Sequence, residues 1–295
     1  MDYLYELNAI RKKIWIKTIA IFIILIILCF LPMLFIKNQD ILDCIKYILI
    51  FGFGVYLCGY WISKSLCKKD IESYKKIYAK SITLKVLESS FKDVKYKSNG
   101  SLPEDFARVI NEAKIPTTNS FDCNDYFSAT YKNIKVEYCD IVLSYTPRNS
   151  EDNIHDVFKG KWLVLSFKEN FKSNIQIGPR IFNGKKNSQM LKGNQYKKIN
   201  INDEVFNKNF IAYSDNENEL FNVLTTKRIE KLKDLYDITG GKVFVFFVDN
   251  KIHIGIGDKK NFFEPSIYKK FDLENEKKKM ESQIKIITKF IDGWI

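Results

Sequence analysis

TIAIFIILIILCFLPMLFI, residues Thr18–Ile36, and YILIFGFGVYLCGYWIS, residues Tyr47–Ser63, are uncharged runs of 19 and 17 residues with a short polar stretch between them. A hydrocarbon core of about 30 Å takes about 20 apolar residues of helix, with about 17 at the short end. The first run meets that length, and the second meets it by borrowing Ile41, Leu42 and Ile45. Lipid offers no partner for an open backbone, so both runs are expected to be helices. The expected anchor is residues 1–66, with transmembrane helices at about 18–36 and 45–63. Pro32 falls near the end of the first run, where a kink is tolerable. Gly52, Gly54 and Gly59 give the second helix a thin face for close helix contact. No small-residue cleavage site follows the first run, which separates it from a cleaved signal. Leu28 is too large for the position before Cys29 in a lipoprotein signal. Two buried core helices are the competing reading, but core helices rarely run this long without a polar face.

The flanks orient the hairpin. Arg11, Lys12, Lys13 and Lys17 precede the first run, and Lys64, Lys68, Lys69, Lys75, Lys76 and Lys80 follow the second. Lys37 and Lys46 in the loop are balanced by Asp40 and Asp43. Cytoplasmic flanks carry the lysine and arginine excess. The expectation is a multi-pass protein of the cytoplasmic membrane with both termini inside. Lys64, Lys68, Lys69, Trp61 and Tyr60 would sit at the inner interface, facing membrane lipids.

The net charge of +12 invites a nucleic-acid reading. Lysine outnumbers arginine, the better reader of bases, and much of the surplus clusters beside the apolar runs, where it complements anionic headgroups. Nucleic acid is therefore not an expected partner. None of the six cysteines forms a CxxC pair, so neither a structural metal nor a cofactor is expected.

The rest of the chain divides into a juxtamembrane helical segment, 67–118, and a cytoplasmic domain, 119–295. Ile71, Tyr74, Tyr78 and Ile82 recur at helical spacing over 67–91. Lys95–Gly100 reads as a polar break. Ser101-Leu102-Pro103-Glu104 has the form of a capping box opening a short helix that buries Phe106, Val109, Ile110 and Ala113. From about residue 120 the period becomes two. Tyr126–Tyr131 and Ile134–Tyr145 form a hairpin through Lys132-Asn133, with a slip near Cys139. Val157–Lys168 is apolar on both faces and reads as a central strand. Asn174–Ile177 and Phe206–Tyr213 are further strands, with polar loops at Asn149–Asn153 and Asn183–Asn194. Asp215–Asp237 reads as one helix, capped by Asp215 and stopped by Gly240-Gly241. Lys242–Asp249 and Lys251–Gly257 form a hairpin, and Asp272–Asp292 a last helix. The fold class is α+β: a curved, mainly antiparallel sheet with packed helices, after a two-helix transmembrane hairpin. A half-open barrel plugged by a helix satisfies the same order.

The inventory of reactive groups is sparse. His155 and His253 are the two histidines, and neither has a partner at metal-ligand spacing. The GxSxG, Walker and dinucleotide patterns are absent. In Ile254-Gly255-Ile256-Gly257-Asp258 the glycines share a face with His253. His253, Gly255, Gly257 and Asp258 are the candidate ligand-facing residues, close packing of a helix against the glycines being the plainer alternative. No catalytic residue is assigned.

Asp156-Val157-Phe158-Lys159-Gly160-Lys161-Trp162 and Phe206-Asn207-Lys208-Asn209-Phe210-Ile211-Ala212-Tyr213-Ser214 are two stretches with a familiar look. Leu224-Thr225-Thr226-Lys227-Arg228-Ile229 and Phe263-Glu264-Pro265 are two more. In this order, behind an apolar hairpin, they resemble a bacterial family catalogued as domain of unknown function 3137, over about residues 70–270 of the soluble part. Thr226 stands where the family pattern has proline. The resemblance implies a bacterial membrane protein and implies no reaction.

Three functions fit. The first is a non-catalytic, membrane-anchored module whose cytoplasmic domain binds a protein partner. The second is a lipid or small-ligand binder, with the curved sheet as a cup, suggested by 23 Phe and 16 Tyr beside a basic helix. The third is an enzyme with dispersed residues, for which His155, His253 and Asp258 are the groups to inspect.

Overall fold

The structure, a computed structural model, describes residues 2–31, 41–99, 120–145, 155–180, 191, 196–258, 263–269 and 271–295, without the side chains of 2, 29–30, 41–50 and 99. The expected capping box and helix at 101–113, the turn at 149–153, most of the 183–194 loop, and Pro32 lie outside those residues. The chain forms two compact units: Met1–Ser81 with Pro265–Leu273, and Ile82–Glu264 with Glu274–Ile295.

The first unit is helical. α1 runs Asp2–Phe30, α2 Ile41–Leu66 and α3 Lys68–Tyr78. Leu7, Ile14, Tyr74 and Tyr78 are fully buried. Lys13 and Lys17 of α1 both hold Asp70 of α3, at 2.8 and 2.6 Å. A Cβ on Gly59 would meet the Phe22 ring at 2.6 Å, so this glycine lets α1 and α2 close together. Gly52 and Gly54, expected to share that thin face, have no described atom within 4 Å of an added Cβ. Near residue 79 the helix widens into a π-helical turn, Ala79–Thr83, followed by α4, Leu84–Glu88.

The expected membrane placement is corrected here. Among the described residues no helix is long and apolar enough to cross a membrane. Charges at Arg11, Lys12, Lys13 and Lys17 occupy the middle of α1, and its uncharged described part, Thr18–Phe30, spans 13 residues against the roughly 17–20 a crossing needs. The multi-pass topology with both termini cytoplasmic, and the transmembrane hairpin, are therefore set aside.

Among the described residues the second unit carries nine strands: β1 Lys92–Asn99, β2 Ser120–Tyr131, β3 Ile134–Tyr145, β4 His155–Ser166, β5 Ile175–Pro179, β6 Lys197–Ile199, β7 Phe210–Ser214, β8 Val243–Val248 and β9 Lys251–Ile256. They form one open sheet in the order β1-β2-β3-β4-β9-β8-β5-β7-β6. Every pairing is antiparallel. The α+β class and the interior position of β4 agree with the sequence reading. Lys132 and Asn133 both take positive φ, 46° and 67°, as the tight β2–β3 turn demands. Lys95–Gly100, expected as a break, instead begins inside β1, an edge strand whose lysines face outward.

Two other boundaries moved. Phe206–Tyr213 is not one strand: α5, Glu204–Asn209, precedes β7, because Asp203 caps Phe206 N at 2.7 Å and starts a helical turn. The expected helix 215–237 is two, α6 Glu217–Val223 and α7 Thr226–Ile238, capped at Asn216 and Thr225. Thr226 is the first residue of α7, the position that best tolerates proline, so threonine there keeps the helix start. Gly240 and Gly241, at φ 63° and 75°, end it. α8, Leu273–Trp294, buries Met280, Ile284, Ile287 and Ile291. Arg228 lies over the Trp294 ring and donates to its carbonyl, tying α7 to the end of α8.

Candidate functional site

The four candidate residues at the end of β9 separate. Trp162 and Gly255 are cross-strand partners, and the indole lies on the glycine: an added Cβ would meet Trp162 at 2.9 Å and Phe158 at 3.3 Å. The glycine makes room for an aromatic ring from the neighbouring strand, not for a helix or a ligand. Phe158 meets Trp162 edge-on at 5.7 Å, Phe246 stacks on Trp162 at 6.0 Å and Phe244 on Phe246 at 6.5 Å. The expected cup is filled by this stack. His253 is buried in it, accepting from Trp162 Nε1 through Nδ1 at 3.4 Å. Burial, with Lys251 nearby, holds its pKa down at about 3, so the ring is neutral. Gly257 lies beside Lys242.

His155 is exposed at the start of β4. It is nine residues from Val164, the partner of His253, which is about 30 Å of strand. The two histidines share no site.

Asp258 does reach a polar centre. Its Oδ2 lies 3.3 Å from Lys161 Nζ, and Lys161 is 3% exposed. Asp140 faces Lys161 across the β3–β4 pair. Tyr138 Oη donates to Asp140 Oδ1 at 2.7 Å, whereas Oδ2 is sealed from solvent and finds no hydrogen-bond partner among the described residues. Desolvation pushes Asp140 up to about 7, against the opposing pull of the Tyr138 hydroxyl and Lys161, with Asp125 and Asp258 adding to the rise. Asp125 sits in the β2 bulge at φ 52° and accepts from Tyr96 Oη at 2.6 Å. A cavity of about 280 Å³ adjoins these groups, lined by Asp122, Asn124, Asp140, Lys159, Asp258 and Glu264 among others. It can hold and release a proton near neutrality. Among the described residues no group of three or more His, Cys, Asp or Glu is arranged for a metal.

The sequence reading missed Asp140 and Lys161. For Asp140 a signal was present: it follows Cys139, where the alternation of the strand slips. The alternation could not say that the opposing strand supplies a lysine.

A second site lies in the helical unit. Asn8, Arg11, Lys12, Trp15, Ile16 and Ile19 follow one another on one face of α1 and, with Tyr268, line a hollow of about 530 Å³. Arg11 Nη1 donates to the Lys269 carbonyl at 2.8 Å. Trp15, Ile16, Ile19 and Tyr268 are exposed, and the exposed apolar side continues through Ile23, Ile26 and Ile27. On α2, Phe51, Phe53, Tyr56, Tyr60 and Trp61 are exposed, with Lys64, Lys68 and Lys69 exposed after them.

The fold defines an α+β class with an open, wholly antiparallel sheet. Residues 156–293 match the family described as "Protein of unknown function (DUF3137)", which bears out the family reading over that stretch. All four motifs lie in it, and they serve packing. Trp162 and Phe158 build the aromatic stack. Phe206 and Phe210 pair at 4.9 Å, and Asn207 ties down both polar backbone groups of Ile201. Phe263 plugs a pocket of Phe127, Tyr138 and Tyr96. A similar solved structure is the crystal structure of the mycobacterial trehalose monomycolate transport factor A, TtfA. It has 9% identity and a TM-score of 0.42, covering 76% of this chain and 96% of that one. No curated protein matches.

Proposed function

We propose that this protein is a lipid-binding module. The observation that carries the reading is the division of the α1–α2 pair into a cationic end and an exposed apolar end. The Phe22–Gly59 contact and the Lys13 and Lys17 bonds to Asp70 put the basic residues of α1 and those following α2 at the same end. Beyond them Ile23, Ile24, Ile26, Ile27 and Leu28 of α1 and Phe51 and Phe53 of α2 are exposed. Contiguous apolar surface of this kind marks an interaction site. Basic residues adjoining apolar and aromatic ones are the complement of an anionic headgroup joined to an acyl chain. The aromatic stack fills the sheet face around Gly255, and the two histidines are separated.

The test is native mass spectrometry of the full-length protein, purified in a non-ionic detergent and mixed with micelles carrying phospholipid. Retention of one or more phospholipid masses through delipidating washes is the expected result. Complete exchange of phospholipid for detergent, at every lipid ratio, refutes the reading.

A further inference from the structure

We infer that the hollow between α1 and Tyr268 seats the headgroup of one anionic phospholipid, its phosphate on Arg11 and Lys12 and the start of its acyl chain along Trp15, Ile16 and Ile19. The inference rests on the lipid-binding reading and adds the lipid class and the residues that choose it. A volume of about 530 Å³ is within the roughly 300–1000 Å³ of small-molecule sites. None of the seven lining residues is acidic, and two are cationic.

The other basic residues of α1 are already engaged. Lys13 and Lys17 are spent on Asp70. Lys12 is exposed and makes no ion pair among the described residues. A guanidinium has five N–H donors. Arg11 commits Nη1 to the Lys269 carbonyl, which fixes the group in place; its Nε is sealed from solvent, and its Nη2 makes no hydrogen bond among the described residues. A fixed guanidinium with donors to spare, beside an exposed ammonium, matches a phosphate diester. Trp15 and Tyr268, half-exposed, suit the glycerol level, where amphipathic rings settle. Ile16 and Ile19 then lead the chain along α1, each turn advancing about 5.4 Å. The order of charge, aromatic and aliphatic along one helix face follows that of a phospholipid from head to tail.

The experiment measures retention of phosphatidylglycerol against phosphatidylcholine by native mass spectrometry, on wild type, Lys12→Gln and Arg11→Gln, with inorganic phosphate as competitor. Wild type is expected to prefer phosphatidylglycerol roughly 30-fold, about fivefold for each of two cations near a headgroup. Lys12→Gln, which breaks no ion pair among the described residues, is expected to lose about fivefold, and Arg11→Gln at least as much. Lys285→Gln, exposed on α8 in the other unit, serves as the charge control and is expected to change nothing. Equal retention of the two lipids, or an unchanged preference in Lys12→Gln, overturns the site while lipid binding itself stands. Loss of all phospholipid retention overturns both. Displacement of phosphatidylglycerol by millimolar inorganic phosphate overturns a lipid as the occupant.

Discussion

Replacing Asp140 by asparagine tests the polar centre of the sheet through its dependence on pH. The Asp140 pKa rises from 3.8 to about 7 on folding, so the folded state binds a proton more tightly than the unfolded chain. Stability contributed by that proton is fully present below the unfolded value and is lost as pH climbs through about 7. A shift of about three pH units corresponds to an upper limit of about 4 kcal/mol at 1.36 kcal/mol per unit. Asparagine keeps an acceptor for Tyr138 Oη and removes the charge, but leaves an amide where Oδ2 had no partner among the described residues, at about 1–3 kcal/mol. At pH 8 the variant should therefore be more stable by about 2 kcal/mol. Between pH 8 and pH 4.5 the difference between variant and wild type should swing by about 3 kcal/mol towards wild type. That is a change of about 6–12 °C in relative melting temperature for a protein of this size. Thermal unfolding of both full-length proteins across this range, followed by tryptophan fluorescence, reads it directly. Taking the difference cancels the titration of groups that do not interact with Asp140. A constant difference from pH 4.5 to 8 would refute the reading of a buried carboxyl poised near neutrality.

The aromatic stack gives two further tests. Trp162→Ala should cost about 3–5 kcal/mol, because it empties a site with no exposed surface between Phe158, Phe246 and Gly255, and denaturant titration measures it. His253 has its pKa lowered from 6.5 to about 3, so the stability it contributes as a neutral ring is present above pH 6.5 and lost as pH falls towards 3. His253→Leu should remove about 2–3 kcal/mol of the decline between pH 6.5 and 4.5, at one pH unit per 1.36 kcal/mol. An equally steep acid limb in the variant would show that His253 is not held neutral.

The four family motifs show what local sequence conceals. They carried the family resemblance and no assigned role, and Phe158, Trp162, Phe206 and Phe263 are among the most buried rings of the fold. A ring at an apolar strand position reads alike whether it faces a ligand or another ring, since alternation gives the face and not what covers it. Gly255 illustrates the point: a missing side chain signals close approach, and only the register with β4 identifies the approaching group as Trp162. The helices at α5 and α6 were obscured for a simpler reason, as two short helices with single capping bonds override weak local preference.

The apolar and polar order of the chain by itself determined the central place of β4, the β2–β3 and β8–β9 turns, and the α+β class. These depend on side-chain periodicity and on turn residues a few positions apart, which are local properties. Tertiary structure alone decided which charges meet. Asp140, Lys161 and Asp258 come from β3, β4 and the end of β9, and Arg11 reaches the carbonyl of Lys269 across 258 positions. Such encounters depend on strand register and helix packing across the whole chain, which no local pattern encodes. The same holds for the pKa of Asp140, since desolvation is a property of what the fold places around a residue.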